Sequence, residues 1–203
     1  MVYGILYMGS ENIVPHIWLM KIIKVNLAYF EANKDEIISC WYKIWDDTPW
    51  ANFKLSKKVV ENYYLRAIDE GILILSIEKT EIVGYLVAFY NSHQETNVRE
   101  NAYQKKIFKH FLDQYLNYVY LADIVLDKKY RGNNLGVQLF RKFEKIVKSK
   151  RFRLIVLYTD LSSRSHKFYK KLLFNKYGKV NKIDRKDIAQ GYEDRVYYIK
   201  ELN

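Results

Sequence analysis

The sequence predicts a single layered α/β (α+β) domain, and three observations support this fold class. The 203-residue chain suits one domain with a sizeable core, and its 49% hydrophobic residues exclude a disordered chain. Extended and helical patterns alternate along it in the order β-α-α-β-β-(α)-β-α-β-α-β-β. Residues 119–126 form a nearly continuous apolar run, which is typical of a central strand covered on both faces.

The first half of the chain contains three predicted strands and two predicted helices. They are a strand at 20–27, a helix after Asn33, a helix after Ser56, and strands at 72–77 and 81–90. Asn33 and Glu36 form a capping-box pattern at the first helix start. Ser56 is the expected cap of the second helix, and Gly71 its expected C-terminal stop. Gly84, inside a strand pattern, predicts a bulge or a close backbone approach.

The second half of the chain continues the alternation. Its predicted elements are a helix at 102–117, the central strand at 119–126, a helix at 135–148, a strand at 154–159, a helix at 162–172, and strands near 174–177 and 196–199. Helical spacing of apolar residues distinguishes the helices from the short, continuously apolar strands.

Composition narrows the classes of function. The formal net charge of +11 is compatible with nucleic-acid binding, an anionic small ligand or plain solubility, because the lysines are spread along the chain. The single cysteine, Cys40, excludes an intramolecular disulfide, fits a reducing compartment and is expected to be a buried structural thiol. The four histidines form no cluster with it, so we expect no metal site.

The N-terminal segment predicts neither export nor membrane insertion. It lacks a basic region and a sufficiently long apolar run, and no stretch reaches the length of a membrane span. We therefore expect a cytoplasmic protein without a membrane partner. Met20 would itself make a natural start, so residues 1–19 are expected to be an accessory segment before a domain at 20–203.

The most informative segment joins the central strand to the following helix and reads Arg131-Gly132-Asn133-Asn134-Leu135-Gly136. A helix N-terminus presents unpaired N–H groups and a partial positive charge, which suit a phosphate. The two glycines allow close approach of a ligand, and the asparagines tolerate the left-handed conformation. The spacing matches neither a Walker loop nor a dinucleotide fingerprint. Taken alone, such a loop is weak evidence for a ligand site, because many helices start with a glycine or asparagine for capping reasons only.

Two motifs in the right order carry a family resemblance. Arg131, Asn134 and Gly136 occupy the positions of an Arg/Gln-x-x-Gly-x-Gly/Ala signature, about thirty residues before an Asn-x-x-Ala-x-x-Phe-Tyr-x-x-x-Gly-Phe-like segment. The second signature is filled at Ser162, Ser165, Phe168, Tyr169 and Phe174. Together they resemble the GNAT family of acetyl-CoA-dependent N-acetyltransferases, over roughly residues 20–200. The chain departs from the pattern at Lys128, Asn134, Ser162, Ser165 and Leu173, where proline, glycine, asparagine, alanine and glycine are usual.

The resemblance implies a fold and a cofactor site. It implies a mixed central sheet of about six to seven strands flanked by helices on both faces, with the helix at 102–117 inserted before the central strand. It also implies that acetyl-CoA binds as a co-substrate, without a metal. The implied cofactor-binding residues are Ile124, Val125, Leu126, Arg131, Gly132, Asn133, Asn134, Leu135, Gly136, Val137, Ser162 and Ser165.

The expected catalytic and acceptor residues rest partly on chemistry. Tyr169 matches the family tyrosine that protonates the leaving CoA thiolate. Asp123 is the candidate base, because a carboxylate in an apolar run is costly without a purpose; Ala122 stands where many relatives carry glutamate, and a structural hydrogen-bonding role for Asp123 is the alternative. The acidic and aromatic side chains near the first inter-helix loop, which would suit a cationic amine, are Asp46, Asp47 and Trp50. The alternative is that these residues only end the helix and form a solvated turn.

The expected function is transfer of acetyl from acetyl-CoA to a primary amine of a small molecule or peptide, by direct attack in a ternary complex. One alternative is a nucleic-acid-bound acceptor such as charged tRNA, motivated by the +11 charge. The other is a non-catalytic acyl-CoA-binding module, motivated by the divergent second signature. The helix at 102–117 is expected either to wall the acceptor pocket or to form a subunit contact, so a homodimer is a candidate assembly.

Overall fold

The computed structural model describes five stretches of the chain. They are residues 20–46, 55–90, 117–160, 165–180 and 195–202. The expected accessory segment at 1–19 and nearly all of the expected inserted helix at 102–117 lie outside these stretches. Those two predictions therefore remain predictions.

The described residues form seven strands and five helices. In chain order these are β1 (Met20–Lys24), α1 (Leu27–Ala32), α2 (Lys34–Trp45), α3 (Lys57–Asp69), β2 (Gly71–Glu78), β3 (Glu81–Tyr90), β4 (Tyr118–Leu126), a 3₁₀ turn (Lys128–Tyr130), α4 (Leu135–Ser149), β5 (Leu154–Asp160), α5 (Ser165–Lys171), β6 (Asn175–Val180) and β7 (Arg195–Glu201). Apart from α1, each of these strands and helices corresponds to a predicted element.

The seven strands form one mixed sheet in the order β1-β2-β3-β4-β5-β7-β6. The pairs β1–β2, β2–β3 and β3–β4 are antiparallel, β4 and β5 pair in parallel, and β7 is antiparallel to both β5 and β6. The β4–β5 pair therefore lies in the middle of the sheet and joins its two antiparallel parts. This arrangement confirms the predicted fold class and the predicted central position of β4.

Helices cover both faces of the sheet, and each face has its own apolar core. On one face α1, α2 and α3 bury a cluster that includes Trp41, Tyr64 and Tyr85. On the other face α4 and α5 bury a second cluster that includes Phe140 and Tyr169. Because both faces of the sheet are buried under helices, the central strands carry apolar side chains at almost every position.

A buried ion pair links α4, β7 and the end of α5. Lys200 Nζ lies 2.9 Å from Glu144 Oε1 and donates to the Leu172 carbonyl oxygen at 2.6 Å. Both charged side chains are about 10% exposed, and Arg141 reaches the second oxygen of Glu144 at 3.2 Å. The Lys200 ammonium also lies 5.3 Å from the centre of the Phe140 ring. Every polar atom of this pair has a partner, as burial of two charges requires.

The entry into the first helices differs from the predicted one. β1 ends at Lys24, and Asn26 caps the additional helix α1 by accepting a hydrogen bond from the Tyr29 N–H at 2.8 Å. Asn33 makes no side-chain cap; its amide instead donates to the Tyr29 carbonyl oxygen at 2.8 Å. The capping-box prediction at Asn33 is therefore wrong, because α1 precedes α2 directly and occupies that side chain.

The predicted cap at Ser56 is confirmed, since its hydroxyl accepts from the Val59 N–H at 3.4 Å. Gly71 was expected to end α3. Instead Glu70 is the C-cap of α3, and Gly71 is the first residue of β2. A Cβ on Gly71 would lie 2.0 Å from the Ala88 carbonyl oxygen, so close strand approach explains this glycine. The close approach predicted at Gly84 is present, because a Cβ there would lie 2.8 Å from the carbonyl oxygen of Val125 on β4.

Two further expectations concern the cysteine and the membrane. Cys40 is buried, its thiol donates to the Ile82 carbonyl oxygen at 3.5 Å, and burial raises the pKa of the thiol to about 12. The thiolate is therefore scarce at neutral pH, as expected of a structural cysteine. None of the helices in the described stretches is both long and apolar enough to cross a membrane.

Candidate active site

The two central parallel strands separate part of the way along. β4 and β5 pair only at three positions, Tyr118 with Leu154, Val119 with Ile155 and Tyr120 with Val156. β4 nevertheless continues to Leu126 and β5 to Asp160. The second half of β4 therefore has a paired edge toward β3 and an open edge toward β5.

Backbone groups of Ile124 and Leu126 lie along this open edge. The N–H of Asp127, next in the chain, donates to the Val83 carbonyl oxygen on β3 at 2.9 Å. Because hydrogen-bonding direction alternates along a strand, Val125 also points its backbone toward β3, whereas Ile124 and Leu126 point theirs away. Arg131 Nε reaches the Leu126 carbonyl oxygen at 2.8 Å, which is consistent with that direction. The open edge can therefore pair with an extended ligand as a further strand would.

The turn after β4 presents backbone N–H groups whose arrangement suits an anion. Asn134, the N-cap of α4, has a left-handed φ of 63° and makes no side-chain cap. Gly132 has a φ of +89°, and a Cβ there would meet nothing within 4 Å, so backbone conformation rather than space favours glycine. In this described stretch the N–H groups of residues 132–136 donate to no backbone carbonyl, and the Val137 N–H donates to the Asn134 carbonyl oxygen at 3.1 Å. Consecutive free donors at a helix N-terminus suit a phosphate.

Gly136 connects this turn with α5. A Cβ on Gly136 would lie 3.3 Å from the aromatic ring of Phe168 and 3.6 Å from a methyl carbon of Leu126. A Cβ at this position would therefore be tight against Phe168, and a larger side chain would need Phe168 to move. The second glycine of the signature therefore lets the helix N-terminus lie close to the open edge, and the neighbouring Leu135 side chain is buried.

A network of charged side chains braces the turn from the opposite layer. Asp127 accepts from the Lys129 N–H at 3.0 Å and from Lys43 on α2 at 3.0 Å; Lys43 also pairs with Glu81. Burial alone would raise the pKa of Asp127, but these two donors hold it below its usual value. The Tyr130 hydroxyl donates to Glu78. Sequence reasoning missed this brace, because its members lie on α2, β2 and β3, far apart in the chain.

A bulge in β4 sets the direction of Asp123. Val87 on β3 lies opposite Asp123, but the next residue, Ala88, lies opposite Leu121, so Ala122 is an extra residue in β4. Such a bulge turns the strand and reverses the alternation of its side chains. Leu121 packs on the α4 face, whereas Asp123 points to the α3 face, where it meets Tyr63.

The Asp123 carboxylate is partly buried and, among the described residues, hydrogen-bonds to one side chain. The Tyr63 hydroxyl donates to Asp123 Oδ2 at 2.6 Å. Burial raises the pKa of Asp123 to about 6, and the Tyr63 hydrogen bond opposes this rise. At neutral pH the carboxylate is ionised yet far more basic than an exposed aspartate, which is the range expected of a general base.

Tyr169 approaches from the other layer. Its side chain is 8% exposed and packs against Phe174 and Tyr198, with ring centres 5.6 and 6.2 Å apart. Burial and, secondarily, the negative charge of Asp123 raise the pKa of Tyr169 well above its usual value. The phenol therefore holds its proton at neutral pH, and it lies close enough to Asp123 for the carboxylate charge to raise its pKa further.

The remaining predicted residues lie as follows. The Ser165 and Thr159 hydroxyls are 2.6 Å apart where α5 follows β5. Asp46 is exposed at the end of α2. Asp47, Trp50 and Ser162 lie outside the described residues.

Comparison with known proteins fits this geometry. Residues 30–174 match the model of the acetyltransferase (GNAT) family. Similar solved structures include arylalkylamine N-acetyltransferase 2 from Aedes aegypti (16% identity, TM-score 0.64, covering 91% of this chain and 100% of that one). They also include a GNAT-family acetyltransferase from Streptococcus pneumoniae (14%, 0.65, 91% and 99%) and the PaiA N-acetyltransferase from Thermoplasma acidophilum in complex with coenzyme A (16%, 0.61, 90% and 99%).

These structures share the fold, and no curated protein sequence matches the chain. The family model spans well over half of the chain and includes β4, the turn, α4 and Tyr169. The chain belongs to the GNAT acetyltransferase family and is an acyltransferase.

Proposed function

We propose that this protein transfers the acetyl group of acetyl-CoA to a primary amine of a small molecule or peptide. The observation that carries the proposal is the open edge of β4 beside the free N–H groups at the start of α4. An extended chain that ends in a pyrophosphate fits both features at once. Coenzyme A has this form, and coenzyme A is bound in the related PaiA enzyme.

In this proposal the backbone of the chain binds the cofactor. Ile124 and Leu126 pair with the pantetheine arm, and the N–H groups of residues 132–137 hold the pyrophosphate. An N–H of the open edge aimed at the thioester carbonyl would stabilise negative charge that develops on its oxygen. Acetyl-CoA supplies the activated acyl group as a thioester.

Asp123 and Tyr169 provide the proton transfers. The amine nitrogen forms a bond to the acetyl carbon and passes a proton to the Asp123 carboxylate. As the carbon–sulfur bond breaks, Tyr169 donates its proton to the leaving thiolate and regains one from solvent. The Asp123 charge contributes to the raised pKa of Tyr169, so protonation of Asp123 makes Tyr169 a stronger acid when the thiolate leaves.

A thiol-release assay tests the proposal. The wild-type protein is incubated with acetyl-CoA and a panel of polyamines, aminoglycosides, amino acids and peptides, and acetyl-CoA binding is measured by calorimetry. We expect turnover with a member of this panel. The Tyr169→Phe variant should bind acetyl-CoA within about threefold of wild type but lose roughly a hundredfold in kcat, the low end for loss of a general acid.

Tyr90→Phe is the matched control. The Tyr90 hydroxyl is buried at the end of β3 and has no hydrogen-bond partner among the described residues, so its removal should leave kcat unchanged. Acetyl-CoA binding without thiol release for any acceptor would refute the enzyme mechanism and favour an acyl-CoA-binding module. Release confined to charged tRNA, with steep salt dependence, would replace the small amine by a nucleic-acid-bound acceptor.

A further inference from the structure

We propose that Tyr63 is the positioning residue of the base, holding the Asp123 carboxylate in place through its hydroxyl. This inference rests on the proposed function, because it assigns a role to Tyr63 in the same reaction. Tyr63 lies on α3, sixty residues before Asp123 in the chain, and belongs to neither family signature.

The geometry of Tyr63 suits this role. Its ring packs edge-on against Phe89 of β3, with centres 5.6 Å apart, and lies 5.9 Å from the ring of Tyr64. These contacts fix the ring, so the hydroxyl reaches Asp123 Oδ2 at 2.6 Å without ordering a flexible side chain. The hydrogen bond occupies Oδ2, which leaves Oδ1 to accept a proton from an acceptor amine.

The surroundings of Asp123 make this hydrogen bond important. Among the described residues, the titratable groups that face or interact with Asp123 are phenols from three elements: Tyr63 and Tyr64 of α3, Tyr85 of β3 and Tyr169 of α5. Burial raises the pKa of the last three, so they are neutral at neutral pH. Within the described stretches no cation contributes to the ionisation of Asp123, and the Tyr63 hydroxyl is the group that stabilises its charge.

The bulge at Ala122 and Tyr63 act together. The bulge turns Asp123 out of the α4 face, and the Tyr63 hydroxyl receives it on the α3 face. Without the hydroxyl, the carboxylate would keep its burial but lose its donor. It would then take up a proton at a higher pH and sample more orientations.

The test is the Tyr63→Phe variant, which keeps the ring contacts with Phe89 and removes only the hydroxyl. The titration of Asp123 is followed by ¹³C NMR of carboxyl-labelled protein, with Asp123→Asn identifying the resonance. We expect the midpoint to move to higher pH in Tyr63→Phe, and kcat for the best amine of the panel to fall roughly tenfold, part of the effect of a general base. The KM for acetyl-CoA should stay unchanged.

The control is Tyr42→Phe, which removes a hydroxyl that donates to the Leu55 carbonyl oxygen at 2.8 Å in the same layer. This variant should leave the Asp123 midpoint in place. The proposal is overturned if Tyr63→Phe leaves the midpoint unmoved, or moves it while kcat equals that of the wild type. If the wild type acetylates no amine at all, the proposed function fails and the role of Tyr63 in it falls too, whereas the NMR midpoint still reports whether the two residues are coupled.

Discussion

Replacing Leu173 by glycine should stabilise the end of the helix that carries Tyr169. Leu173 follows α5 with a left-handed φ of 65°. Its N–H donates to the Lys170 carbonyl oxygen at 3.0 Å, and the Phe174 N–H donates to that of Tyr169 at 3.1 Å. These two bonds define a Schellman motif, in which the left-handed position normally belongs to glycine. The Leu173 side chain is 74% exposed, so it contributes little packing in return.

The magnitude follows from three terms. A residue with a Cβ in the left-handed region costs about 1–2 kcal/mol. Glycine relieves this cost but loses about 0.4–1 kcal/mol of stability, because it gives the unfolded chain more conformational freedom. Removing the Leu173 side chain loses about 0.5 kcal/mol of residual burial, since roughly a quarter of it is covered. The free energy of unfolding of Leu173→Gly should therefore exceed that of the wild type by only about a few tenths of a kcal/mol.

The comparison with Leu173→Ala isolates the backbone effect. Alanine loses the same side-chain contacts but keeps the strained conformation, so the glycine variant should be more stable than the alanine variant by about 1 kcal/mol. For a chain of this size that difference corresponds to roughly 2–4 °C in Tm, measurable by thermal unfolding followed by circular dichroism. An alanine variant as stable as the glycine variant would refute the assignment of strain to Leu173.

Two further predictions concern buried charges. Lys200→Met should lower the free energy of unfolding, measured in urea, by about 3 kcal/mol, because Glu144 would remain buried and charged with only the exposed Arg141 beside it. The double variant Lys200→Met with Glu144→Gln should recover most of that loss. A double variant that recovers none of it would contradict the ion-pair explanation. Asp123 has a pKa of about 6 in the folded protein against about 4 in the unfolded chain, so the folded state binds more protons between these values and stability falls as the pH rises through them. Asp123→Asn should therefore be more stable than the wild type at pH 7 by about 2 kcal/mol and equal to it near pH 4; an equal difference at both pH values would contradict this.

Short-range chemistry made much of the fold predictable. The apolar run of β4 identified the central strand, and Gly84 marked the close approach of β3 and β4. Asn134 was expected to tolerate a left-handed conformation and has it. In each case the signal lies within a few residues, because it reflects the backbone or the burial of one segment.

The start of the helical region was less predictable for a physical reason. Both Asn26 and Asn33 precede helix-like sequence, and an asparagine can cap either helix. Phe30 of α1 is buried in the core beneath α1, α2 and α3, and this packing, which the local sequence does not reveal, favours α1 with Asn26 as its cap. The Asn33–Glu36 pattern was locally correct chemistry at a place where the preceding helix already engages the side chain.

The direction of Asp123 shows most clearly what one sequence cannot encode locally. Counted by simple alternation from Val119, Asp123 would share the α4 face with Leu121, on the same side as Tyr169. The bulge at Ala122 reverses this, and it exists only through the pairing of β4 with β3. The carboxylate therefore approaches the open edge from the α3 layer and the phenol from the α5 layer. In the proposed reaction the base must reach the amine nitrogen and the acid the leaving sulfur, and side chains from the two layers can reach these different substituents of the acyl carbon without competing for one position.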